Sequence, residues 1–123
     1  MLERTGAFAI LASVAVSAAL LGLAMRLYPG GTWCEPAAEG HAFWGNFLCD
    51  LEWKVALNGR PNPAGSTVAG VGMAILALGV GAFFQVVPAL FGPRVAPRRA
   101  VRLLGGASTL GTAAVVLMPS ERF

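Results

Sequence analysis

Charged side chains are scarce in this sequence. They make up 12% of its 123 residues, whereas hydrophobic residues make up 56%. A soluble domain carries about 25% charged residues, so this chain has too few to cover a soluble surface. The length allows one domain. The composition therefore predicts an integral membrane protein and argues against a soluble globular one.

Histidine and cysteine are also rare, with one histidine and two cysteines. His41, Cys49, Asp50 and Glu52 are possible metal ligands, but the sequence around them predicts a helix. On a continuous helix His41 and Asp50 would point in opposite directions, and about 16 Å of axis would separate His41 from Glu52. The same spacing disfavours a Cys49–His41 nucleophilic pair. We therefore predict no metal site, no cofactor and no catalytic residue.

The basic residues do not form a nucleic-acid footprint. Four of the nine lie close together and without interleaved aromatic side chains, which stacking on bases would require: Arg94, Arg98, Arg99 and Arg102. Arginine and lysine concentrate in cytoplasmic loops. This segment therefore predicts a cytoplasmic loop and a cytoplasmic N-terminus, with the long first loop and the C-terminus outside the cell membrane.

Three apolar runs predict membrane-spanning helices at residues 6–26, 66–91 and 102–118. About twenty residues at 1.5 Å each cross a hydrocarbon core of about 30 Å, and the third run is close to the minimum. The first run has an alternative interpretation as a secretory signal, with Val16-Ser17-Ala18 as a small-residue cleavage site. Its apolar sequence continues well beyond that point, which favours a span.

Small residues recur in the second apolar run at Gly70, Ala74, Ala77 and Gly81. The spacing of four, three and four residues places them on one helix face. Small residues on a membrane helix let another helix approach closely. The pattern predicts a helix-packing face.

The stretch 41–58 predicts an amphipathic helix at the membrane interface, because its aromatic residues share one face. Asn46 and Asp50 lie four residues apart on the other face. Together with His41 they are the candidate polar or ligand site. If the helix folds into the mouth of the bundle, the Asp50 carboxylate needs a partner, and Asn46, Lys54 and Arg60 are candidates.

Two cysteines, Cys34 and Cys49, lie in the loop that is predicted to be outside. A disulfide there would close a fifteen-residue loop, worth roughly 3 kcal/mol in the chain-entropy model. An oxidising compartment favours this bond. The alternative is two buried, reduced thiols.

The order of these features resembles the DRAM/Frag/Sfk-like polytopic membrane proteins and their bacterial relatives of unknown function. The matching stretches are Asn46-Phe-Leu-Cys49-Asp50-Leu51, then Asn62-Pro63, and Met118-Pro119-Ser120-Glu121. Cys49 stands where the family has serine and Glu52 where it often has glycine. The resemblance implies half of a six-helix bundle and no established catalytic mechanism.

These features predict an all-α membrane bundle whose function rests on helix packing or lipid contact, without catalysis. Its partners would be the lipid bilayer and either its own copies, as a homo-oligomer, or a second membrane subunit. One alternative is a transporter-like half bundle with Asp50 as its polar site. Another is a lipid-modifying enzyme at the outer interface. The surroundings of Asp50 distinguish the three functions. Water around Asp50 would fit the packing role, a cavity would fit the transporter, and contact with His41 would fit the enzyme.

Overall fold

A computed structural model of the chain describes residues 2–91 and 95–117, and for residues 2–4, 90, 95 and 117 it describes the backbone alone. The described residues form helices joined by turns, and β-structure in them is limited to two isolated bridges, Gly30–Glu39 and Val55–Pro61. The elements are three α-helices and two short 3-10 helices, in the order α1 Leu2–Leu27, a 3-10 helix Leu48–Glu52, α2 Pro63–Val86, a 3-10 helix Val87–Phe91, and α3 Val95–Leu117.

Two helical segments, Thr5–Leu27 and Pro63–Ala89, are long and apolar enough to cross a membrane. In an 18-residue apolar window of each segment, only 11% of the first and 22% of the second is buried within the chain. A core helix of a soluble protein would be mostly buried. The structure therefore confirms two of the three predicted apolar helices as long enough to span.

Helix α3 begins at Val95, several residues before the predicted start at 102. Its first two turns contain Arg98, Arg99 and Arg102, so this part of the predicted basic loop is helical. Arginine is a good helix former, and the first turn tolerates Pro97. Among the described residues, α3 is not one of the helices apolar enough to span, so its crossing stays a prediction. Residues 92–94 and 118–123 lie outside the described residues.

Helix α2 begins at Pro63, three residues before the predicted start. Proline suits the first helical position because it has no N–H to satisfy and its φ is already helical. The N–H of Ser66 donates to the carbonyl of Asn62 at 3.0 Å. The hydroxyls of Ser66 and Thr67 both donate back to the Pro63 carbonyl. At its other end α2 passes into the 3-10 helix that contains Pro88.

The chain divides into two compact units. Among the described residues, one is formed by residues 2–16, 74–91 and 95–117, and its helices meet at glycines. A β-carbon on Gly79 would collide with Ser13, and one on Gly105 would collide with the ring of Phe84. A β-carbon on Gly81 would lie 3.1 Å from Thr109 Cγ2.

The other unit is formed by residues 17–73. It contains the end of α1, the start of α2 and the interhelical loop between them, residues 28–62. Its core is an apolar cluster in which loop residues Leu51 and Ala56 pack with residues of both helices: Ala24, Tyr28 and Ala69, with Leu21, Met25 and Val68 at the edge. The loop is therefore a folded element that is seated against α1 and α2.

Candidate functional site

The interhelical loop is organised around Gly30 and Gly31, which follow Pro29 directly after α1. Both have positive φ, 132° and 90°. The N–H of Gly31 donates to Ala38 at 2.7 Å, and the carbonyl of Gly30 accepts from the N–H of Asn58 at 3.2 Å. A β-carbon on Gly31 would collide with the backbone of Asn58. The two glycines therefore let distant parts of the loop meet.

The predicted interfacial helix over 41–58 is not present: within it only Leu48–Glu52 is helical, as a 3-10 helix. The reason lies in the turn before it. The N–H groups of Gly45 and Asn46 both donate to the carbonyl of Ala42, and Asn46 Oδ1 accepts from the N–H of Ala42 at 2.9 Å. An asparagine side chain that bonds the local backbone competes with helix formation.

Asp50 is buried in the second unit, with 1% of its surface exposed. Its Oδ2 accepts from the N–H of Phe47 at 2.8 Å and from Asn46 Nδ2 at 3.4 Å. Of its three predicted partners, the structure brings Asn46 to it. Lys54 and Arg60 are exposed, and within the described part of the chain no hydrogen bond reaches Asp50 Oδ1. One carboxylate oxygen is thus held by two hydrogen bonds, and the other is buried without a hydrogen bond among the described residues.

His41 lies near the same carboxylate. Its ring meets Tyr28 edge to face at 5.9 Å, and its Nε2 is buried with no hydrogen-bond partner among the residues described. Burial lowers the pKa of His41, and the negative charge of Asp50 partly opposes that shift. The histidine is therefore mainly neutral at pH 7. The helical separation predicted for His41 and Asp50 does not apply, because the chain between them is not a continuous helix.

Both cysteines are free and exposed, so the predicted Cys34–Cys49 disulfide is not formed in this structure. Cys34 lies in a turn in which the N–H of Glu35 donates to Thr32 Oγ1 at 2.9 Å, while Cys49 lies in the 3-10 helix. Partial desolvation, followed by the charge of Asp50, raises the pKa of the Cys49 thiol. A protonated thiol is a poor nucleophile, which argues against catalysis by Cys49.

Asn62 is a second buried polar residue, which the sequence indicated only through the family resemblance. It is 2% exposed, and its Nδ2 donates to the carbonyls of Leu51 at 3.1 Å and Trp53 at 3.0 Å. The Asn-Pro pair at the start of α2 was the available signal. Asn62 ties the 3-10 helix to α2 and thereby fixes the position of Asp50.

Glu52 is half-buried beside this region, and its Oε1 lacks a hydrogen bond within the described residues. Burial raises the pKa of Glu52. Among the residues described, no group of three or more histidine, cysteine, aspartate or glutamate side chains is arranged to hold a metal ion. The candidate site therefore consists of the buried Asp50, the half-buried His41, the half-buried amide of Asn46 and the buried amide of Asn62.

Only part of the predicted packing face of α2 packs against other residues of the chain. Ala77 is buried and Gly81 packs against Thr109, as described above. Ala74 is exposed, and a β-carbon on Gly70 would meet nothing within 4 Å. Two of the four small residues thus remain open to another helix.

No family model, curated protein or solved structure matches the chain. The resemblance to the DRAM/Frag/Sfk-like proteins therefore stays a prediction, carried by the stretches quoted above.

Proposed function

We propose that the chain is a multi-pass integral membrane protein that acts by packing its helices against a further membrane helix. That helix would come from a second copy of the chain or from another subunit. The support is the exposure of α1 and α2: apolar helices with so little surface buried within the chain need lipid or another helix around them. No catalytic chemistry is required.

The open part of the small-residue face carries this proposal. Around Gly70 and Ala74 the surface of α2 is uncovered, and the neighbouring Val71 and Leu78 are exposed. In a bilayer no hydrophobic force drives helices together, so association depends on close van der Waals packing at small residues. An uncovered glycine and alanine four residues apart provide such a surface.

The proposed topology has the N-terminus and the basic start of α3 in the cytoplasm and the interhelical loop outside. Exposed arginines support the inner assignment of α3, since basic residues are retained on the cytoplasmic side. Helix α3 would then cross the membrane as a third span, with the C-terminus outside.

The experiment is the mass of the purified chain in mild detergent, measured for the wild type and for Gly70→Ile. We expect an assembly of two or more chains, or a complex with a second subunit, that Gly70→Ile reduces to a single chain. Gly22→Ile is the matched control, because Gly22 is an exposed glycine of α1 at which an added β-carbon would meet nothing within 4 Å. A single chain in the wild type, or equal effects of both variants, would contradict the proposal.

A second candidate function is a transporter-like polar site at Asp50, favoured by one observation. A buried carboxylate with one oxygen lacking a hydrogen bond is costly, and such groups in membrane proteins commonly serve ions. If Asp50 takes a cation, sodium or potassium should raise the melting temperature of the wild type and leave the melting temperature of Asp50→Asn unchanged. Choline is the control for ionic strength. Equal responses to all three salts would remove this candidate.

A further inference from the structure

The interhelical loop exposes a group of large apolar side chains that neither the helix packing nor the polar site uses. We name this group the aromatic patch; it consists of Trp33, Phe43, Trp44, Phe47 and Leu48. We propose that the aromatic patch inserts into the interfacial layer of the bilayer that α1 and α2 cross. This inference rests on the proposed membrane location and names lipid as the partner of the loop.

The exposure of the patch is extreme for its residue types. Trp44 is 94% exposed, and its ring meets Phe43 edge to face at 5.0 Å. Phe43 and Phe47 are each exposed over most of their surface. Isolated apolar side chains on a surface are ordinary, but a run of large aromatic ones marks an interaction site.

The parts of the patch belong to neighbouring segments of the loop. A β-carbon on Gly45 would lie 3.0 Å from Thr32 Cγ2, so the turn that carries Trp44 lies against the segment that carries Trp33. Trp33 in turn meets Trp53 edge to face at 5.9 Å. The loop therefore presents aromatic rings on adjoining segments of its surface.

The depth of the loop selects lipid as the partner. Leu51 packs in one cluster with Ala24 and Leu21, which lie three and six residues before the end of α1 at Leu27. At 1.5 Å a residue these positions lie about 4.5 and 9 Å along the axis from the end of α1, on either side of the roughly 5–7.5 Å thickness of one headgroup layer. Leu48 lies in the same 3-10 helix as Leu51, and Phe47 directly precedes it, so both patch residues are carried by the element that packs on α1.

The side chains around the patch also suit an interface. Arg26, Lys54 and Arg60 are exposed near the helix ends and the loop. Tryptophan with flanking lysine and arginine is the composition that membrane proteins place at the headgroup level. A tryptophan there keeps its ring in the apolar boundary and its indole N–H near water.

The experiment measures tryptophan quenching in the full chain reconstituted in phosphatidylcholine vesicles. In a W33F and W53F background Trp44 is the remaining tryptophan. Vesicles carry bromine at acyl positions 6,7 or 11,12. We expect several-fold stronger quenching of Trp44 by the shallow bromines than by the deep ones. In the matched W33F and W44F background, the shallow bromines should quench the half-buried Trp53 less than they quench Trp44.

Two results would overturn the inference. If aqueous iodide quenches Trp44 and neither bromolipid does, the patch projects into water. If Trp44 is shielded from iodide and from both bromolipids, protein covers it. Retention of the chain in the vesicles after an alkaline wash separates these results from a failure of the proposed membrane location, which would release the chain.

Discussion

The side-chain amide of Asn46 donates a hydrogen bond of 2.8 Å to the backbone carbonyl of Gly31, fifteen residues earlier. The same side chain accepts from Ala42 and reaches the Asp50 carboxylate. One amide thus joins the entry of the interhelical loop, the turn that replaces the predicted helix, and the buried acid. The position of Asp50 therefore depends on a contact that is distant in the sequence.

Asn46→Ala should destabilise the loop by about 1–3 kcal/mol, because it removes the partners of the Gly31 carbonyl and the Ala42 N–H and one of the two hydrogen bonds to Asp50 Oδ2. The measurement is the free energy of unfolding in mild detergent. Gln85→Ala is the control, since Gln85 is an exposed amide for which the described residues show no hydrogen bond. Equal stability of the two variants would mean that the amide is not a structural link.

Gly31→Ala should lower the free energy of unfolding more than Gly59→Ala does. Both glycines have positive φ, 90° and 81°, so alanine is strained at either position by about 1–2 kcal/mol. At Gly31 the new methyl would also collide with the backbone of Asn58, whereas at Gly59 it meets nothing within 4 Å. The difference in unfolding free energy between the two variants isolates the steric part, and a difference of zero would contradict the close approach.

In α3, Gly105→Ala and Gly106→Ala form a second matched pair. The methyl at 105 would overlap the ring of Phe84, while the methyl at 106 has open space. We expect Gly105→Ala to lose about 1–3 kcal/mol through overpacking. Gly106→Ala should be neutral or slightly stabilising, because alanine favours the helix. Thermal unfolding of both variants tests this, and equal melting temperatures would count against the packing of α3 on α2.

The pKa of His41 predicts how stability changes in mild acid. Burial lowers this pKa in the folded state, so below about pH 6.5 the unfolded chain binds more protons than the folded one. Stability should therefore fall as the pH drops through that region. Glu52 acts in the opposite sense, because burial raises its pKa and acid favours its folded form.

His41→Gln should consequently lose less stability than the wild type between pH 7.5 and 5.5. The measurement is the melting temperature at both pH values. Parallel pH profiles for wild type and His41→Gln would show that the histidine does not titrate as its burial requires.

Composition and the lengths of apolar runs were sufficient to predict α1 and α2, because a span is defined by local properties of one segment. The start of α3 was missed, since a cluster of arginines is typical of a loop although arginine is compatible with helix. The polar residues Asn46 and Asp50 were identified together, because they lie four residues apart and share a local turn.

The interior of the interhelical loop could not be predicted in the same way. Aromatic periodicity over 41–58 indicated a helix, but hydrogen bonds from Asn46 to Gly31 and from Asn62 to Leu51 set the backbone there. These are tertiary contacts, which override a local pattern. The free state of Cys34 and Cys49 likewise depends on loop geometry rather than on their spacing.

The most direct test of the proposed membrane topology uses the two free, exposed thiols of the interhelical loop. A membrane-impermeant maleimide is added to intact cells that express the chain. Cys34 should be labelled without permeabilisation, and Cys49 more slowly, because its raised pKa keeps the thiol protonated. In a cysteine-free background, Arg99→Cys at the start of α3 should be labelled only after the membrane is opened. Labelling of both positions from the same side would show that α2 does not cross the membrane and would contradict the proposal.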